Sequence, residues 1–140
     1  MCYVVFLSTT CPDDLSEHNS ALLRFERELG NEASIGLLEN PNRWRVESRS
    51  GCGCGFRHLT APELGFSTPA DWYPEEAEDI AATGEFFAVV TALTAAGGNV
   101  DCVDAWSGTK VEDIRGMEVT VASLQPGEFR FFENHHFVFR

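Results

Sequence analysis

Two cysteines one residue apart, followed by a histidine, are the residues of this chain best suited to chemistry: Ser50-Gly-Cys-Gly-Cys-Gly-Phe-Arg-His58. Thiolates serve as soft metal ligands or as a reversible redox pair. The pair sits in a longer stretch, from Trp44 to His58, that carries one unbroken two-residue period. Trp44, Val46, Ser48, Ser50, Cys52, Cys54, Phe56 and His58 share one parity, while Arg45, Glu47, Arg49, Gly51, Gly53, Gly55 and Arg57 share the other. An extended chain over 44–58 would therefore present both thiols on one face and bare backbone on the reverse.

Three uses of the pair follow from that reading. Residues two apart in a strand have α-carbons about 6.6 Å apart, near the limit a disulfide tolerates, so a bridge would be strained and easily reduced. As a zinc site, Cys-Gly-Cys departs from the usual two-to-four-residue spacing and needs further ligands, for which Cys11 and His58 are the candidates. The bland alternative is burial: if Trp44 and Val46 face a core, the period carries Cys52 and Cys54 inward, where free cysteine acts as a small hydrophobe. The glycines then mark a bulge or a close approach of another part of the chain.

The other candidates are weaker. Cys11 precedes Pro12, Asp13 and Asp14 at a helix start, but the two acids oppose thiolate formation. His58 and His136 read as packing residues near phenylalanines, and His135 and His136 would point to opposite faces of a strand. Cys2 and Cys102 fall in apolar runs and read as core. Asp71, Asp101 and Asp104 read as an exposed charged face. No nucleophile elbow, phosphate loop, dinucleotide fingerprint or His-Glu-x-x-His helix is present, so no catalytic and no cofactor-binding residue is assigned.

The elements that must position these residues are legible from composition and pattern. The chain has 140 residues, 44 % hydrophobic and including eleven Phe, which suits one domain with its own core. Twenty-two acidic against ten basic side chains give a formal charge of -12, and the bases are scattered, which argues against nucleic acid and anionic membrane as partners. Five cysteines at irregular spacing suggest reduced thiols and a cytoplasmic protein.

In chain order, 2–8 reads as a central strand, 12–18 as a helical turn, 21–28 as a strand, and 30–42 as a loop with a brief turn near 35–38. The strand over 44–58 follows, then a loop to Trp72. Pro74-Glu-Glu-Ala-Glu-Asp79 opens a helix that runs to Ala96 and stops at Gly97-Gly98, its stripe formed by Ile80, Phe86, Phe87, Val90, Leu93 and Thr94. Strands are expected at 100–106 and 117–124. The tail reads as a hairpin about Glu133 and Asn134, with its last strand beside the first.

The fold expected is α+β: a mainly antiparallel sheet of five or six strands, covered on one face by the helix over about 74–96. The order strand, helix, strand from Trp44 to Trp106 would allow one parallel crossover pair.

The segments Ser50-Gly-Cys-Gly-Cys-Gly-Phe-Arg-His58, Asp71-Trp-Tyr-Pro-Glu75 and Phe131-Phe-Glu-Asn-His-His-Phe137 together resemble a family of small bacterial proteins to which no established activity is attached. That resemblance implies no catalytic residue, ligand or partner. With no convincing catalytic constellation in the sequence, the function expected is that of a non-catalytic binding or accessory domain for a protein or small molecule, with a homodimer through an edge strand or the aromatic tail as one form it would take. The alternative is a redox or zinc site on Cys52 and Cys54.

Overall fold

The computed structural model describes residues 2–66 and 74–140. Its framework is a six-stranded sheet built from β1 (Tyr3–Thr9), β2 (Leu23–Glu26), β3 (Asn42–Ser48), β5 (Val100–Trp106), β6 (Arg115–Val119) and β8 (His135–Phe139). The strands lie in the order β2-β3-β1-β5-β8-β6, antiparallel at every pairing except β6 with β8. Two short strands, β4 (His58–Leu59) and β7 (Phe131–Phe132), form a separate parallel pair. With one helix, α1 (Ala77–Ala95), the architecture is the α+β arrangement expected.

Both faces of the sheet are covered, which explains why β5 is buried from Val100 through Ala105. On one face Val5, Leu7, Trp44, Val46, Cys102 and Phe137 join Phe86, Phe87, Val90 and Leu93 of α1 in the main core. On the other, Phe6, Val103 and Ala105 pack under Leu38, with Leu29, Ile35, Leu37 and Ile114 around them. Nine of the phenylalanines lie in the main core, and Phe66 packs against it, stacked on Phe132 of β7. Phe129 is their hub, with ring centroids 4.9 Å from Phe87, 5.3 Å from Phe131 and 5.6 Å from Phe137.

The ends of α1 follow from local chemistry. Glu78 and Asp79 occupy the first turn, where the helix dipole favours acids, and Arg49 bridges Glu78 and Asp79 at 3.1 Å each. Gly97 takes φ 86°, and the N–H groups of Gly97 and Gly98 return to Thr94 and Leu93 carbonyls, closing the last turn. Among the described residues no helix is long and apolar enough to cross a membrane.

Several expected elements are corrected. The strand over 44–58 ends at Ser48, where the chain turns through Gly51 at φ 80° and enters a single 3-10 turn at Gly53–Gly55. The strand expected at 21–28 is limited to Leu23–Glu26, and that at 117–124 becomes β6 followed by a 3-10 turn at Val121–Ser123. The tail turns at Asn134, but its two arms pair elsewhere: β7 joins β4, and β8 joins β5 and β6 rather than β1. The expected crossover neighbours β3 and β5 are separated by β1. Asp71 and the segment around Trp72 lie outside the described residues.

Candidate thiol site

The site forms where the turn after β3 meets the start of β1. Ser48 organises the turn: its backbone N–H donates to the Cys52 carbonyl at 2.8 Å, its hydroxyl donates to the same carbonyl at 2.6 Å, and that hydroxyl accepts the Gly55 N–H at 2.9 Å. Only glycine fits at two of these positions. A β-carbon on Gly53 would stand 2.8 Å from Val5 Cγ2 and 3.1 Å from both Cβ and O of Tyr3, and one on Gly55 would stand 2.5 Å from Ser48 Oγ. Bare backbone thus lets the 53–55 turn lie directly on β1.

That close approach brings a third thiol into play. Cys2 precedes β1, its carbonyl held by the Ser107 N–H at 2.9 Å. The sulfurs of Cys2, Cys52 and Cys54 all lie within 4.8 Å of one another. Cys54 Sγ also accepts the Tyr3 backbone N–H at 3.4 Å, and Cys52 Sγ lies 3.5 Å from Ser50 Oγ. Cys2 and Cys54 are exposed and Cys52 half-buried, which overturns both the inward burial of the pair and the core placement of Cys2.

Cys52 and Cys54 are shifted in opposite directions. Burial opposes ionisation of Cys52, but hydrogen bonds from the Ser50 hydroxyl, the Cys54 backbone and the Cys54 and Cys2 thiols together hold it below its ordinary value. Burial pushes Cys54 up to about 11; the Tyr3 N–H works against this, and the neighbouring Cys52 charge adds to it. Of these two, Cys52 therefore gives up its proton before Cys54, and a second negative sulfur beside it is favoured by a compensating positive charge.

Next to the thiols lies an aromatic and acid–base network. The Tyr3 ring is stacked between His58, at 3.7 Å, and Trp106, at 3.9 Å, and its hydroxyl donates to Glu133 Oε2 at 2.8 Å. Trp106 Nε1 donates to the same oxygen at 3.1 Å. Burial raises the Tyr3 phenol, and its hydrogen bond to Glu133 raises it further.

His58 does not serve as the ligand that the sequence suggested. Its Nδ1 lies 3.1 Å from the Phe56 carbonyl and so carries a proton, while Nε2 lies 3.0 and 2.9 Å from the two oxygens of Asp104. Either an imidazolium faces a carboxylate, or a neutral imidazole accepts from a protonated Asp104. Neither state leaves a lone pair for a metal or a thiol. Burial raises the Asp104 carboxyl, opposed by His58.

Cys11 lies beyond the other end of β1, half-buried against the main core, with its backbone N–H on Thr9 Oγ1 at 3.1 Å. Cys102 is buried as expected, and burial together with the charges of Asp104 and Asp101 pushes its thiol up.

Asp101 and Asp104 are fully buried rather than part of an exposed face. Asp101 accepts from the Ser8 hydroxyl, the Glu39 N–H at 3.0 Å and Asn40 Nδ2 at 3.1 Å, and lies 2.8 Å from His136 Nε2. These bonds tie the loop before β3 to the sheet. His135 and His136 do face opposite ways: His136 meets Asp101, and His135 stands beside Phe132.

What the fold and site define is an α+β domain with three clustered thiols at one end of its central strand. No family model, curated protein or solved structure matches the chain.

Proposed function

We propose that this protein is a non-catalytic binding domain that holds a thiophilic metal ion through Cys2, Cys52 and Cys54. The observation that carries the reading is the convergence of three sulfurs, from two separate parts of the chain, to within 4.8 Å. Sulfur donors alone favour soft or borderline ions such as Cu⁺ and Zn²⁺ over Mg²⁺ and Ca²⁺. The ion would supply the positive charge that favours a second thiolate at this site. Binding rather than catalysis is favoured because His58, stacked on Tyr3 beside the thiols, has both ring nitrogens hydrogen-bonded, one to the Phe56 carbonyl and one to Asp104. Thiols in this role call for a reducing compartment, which agrees with a cytoplasmic location.

Purified, reduced chain titrated without oxygen against Zn²⁺ and Cu⁺, each in competition with a chelator, tests the reading. One equivalent of either metal should bind, and the Cys2→Ser/Cys52→Ser/Cys54→Ser variant should lose it while keeping its circular dichroism spectrum. Equal retention by that variant, or reversible disulfide formation with no metal uptake, would replace this function with another.

A further inference from the structure

We infer that the ion this site selects is monovalent copper, held by three sulfurs in an open trigonal arrangement; the inference rests on the thiol site proposed above and specifies its ligand. The first ground is the donor set. Three thiols form the group, and among the described residues no imidazole or carboxylate joins them. Zinc sites of structural type are almost always four-coordinate, whereas Cu⁺, a closed-shell soft ion, is satisfied by two or three sulfurs.

The second ground is that the neighbouring groups that could complete a tetrahedron are committed. His58 is held at both nitrogens by Phe56 and Asp104, and the Tyr3 hydroxyl donates to Glu133. Cys11 packs beyond the far end of β1. Ser50 Oγ, 3.5 Å from Cys52 Sγ, is a neutral hard donor that a soft ion does not favour.

Spacing agrees with this. Three metal–sulfur bonds of about 2.3 Å spread at about 120° place the sulfurs about 4.0 Å apart. The observed triangle, with every pair within 4.8 Å, closes onto such an ion by small rotations, for which the exposed Cys2 and Cys54 side chains are free. Each coordinating thiol releases its proton to solvent, and copper enters and stays as Cu⁺, so no electron is transferred. The Tyr3 N–H on Cys54 Sγ draws off part of the resulting negative charge. With Cys2 and Cys54 exposed, an incoming thiol can reach the ion from solvent, which makes the site suited to exchange.

The test uses the reduced full chain, titrated anaerobically with Cu⁺ buffered by bicinchoninate, with X-ray absorption spectra of the loaded protein and a parallel Zn²⁺ titration. Expected are one Cu⁺ per chain, three sulfur scatterers, and Cu⁺ retained in the presence of excess Zn²⁺. Cys2→Ser, which alters an exposed side chain and leaves the fold intact, should weaken Cu⁺ by more than the roughly 10- to 100-fold produced by losing an outer-shell partner. Zn²⁺ held by the three sulfurs plus a light atom, with Cu⁺ not retained, would overturn the choice of copper and leave the thiol site standing. Failure to retain either metal overturns both.

Discussion

Replacing Gly53 with alanine tests whether close contact between the 53–55 turn and β1 assembles the thiols. The new methyl would stand 2.8 Å from Val5 Cγ2, against an ordinary carbon–carbon separation of about 3.5 Å or more, so the turn must retreat by about 0.7 Å. Neither neighbour yields readily. Val5 is fully buried in the main core, and the Tyr3 atoms at 3.1 Å are Cβ and backbone oxygen. Overpacking of this kind costs about 1–3 kcal/mol, well within the roughly 5–15 kcal/mol that keeps a domain folded.

Gly51→Ala is the matched control. It also costs about 1–2 kcal/mol, because φ at Gly51 is 80°, yet its β-carbon would meet nothing within 4 Å. Urea unfolding should show similar losses for the two variants. Chelator competition should separate them: Gly53→Ala weakens metal binding, because Cys54 moves off Cys2, whereas Gly51→Ala binds nearly as wild type does. A Gly53→Ala protein with undiminished stability and undiminished metal affinity would refute the reasoning.

Phe129→Ala removes the hub of the phenylalanine cluster and should cost about 3–5 kcal/mol in urea unfolding, with metal affinity in the surviving folded fraction unaltered. Asp104→Asn should change how stability depends on pH. Burial raises this carboxyl above its ordinary 3.8, so the folded chain keeps a proton that the unfolded chain gives up. Its contribution is full below 3.8 and fades as pH rises through the raised value, so wild type should lose stability relative to Asp104→Asn on going from pH 3 to neutrality. Parallel stability curves over that range would contradict the assignment.

The strands β1 and β5 and the helix α1 were legible because each is an apolar segment bounded by turn chemistry, and Val100–Trp106 appears where expected. The stretch after Ser48 misled for a physical reason. Up to Val46 the alternation rests on side chains that prefer burial, but Ser50, Gly51, Cys52, Gly53 and Cys54 are small residues with weak preferences. Their parity continues while the backbone turns away. The two sulfurs do share a side, through the turn rather than through a pleat. Cys2 was missed because the position before a central strand looks apolar in sequence and is open to solvent in space.

Asp101 and Asp104 were misread because their burial depends on His136 and His58, partners distant in sequence. A cue was available: both lie in a run flanked by Val, Cys and Ala on either parity, as a strand covered on two faces requires. The tail hid its pairing for a similar reason, since β7 and β8 each find partners far along the chain.

Because Cys2 precedes β1 and the Cys52–Cys54 turn follows β3, an extended polypeptide offers an ion two neighbouring sulfurs at most. The third arrives only when β1 docks beside β3. An ion that prefers all three would therefore favour the folded chain over the unfolded one by mass action, and would clasp the start of the central strand at the end where Tyr3 is stacked.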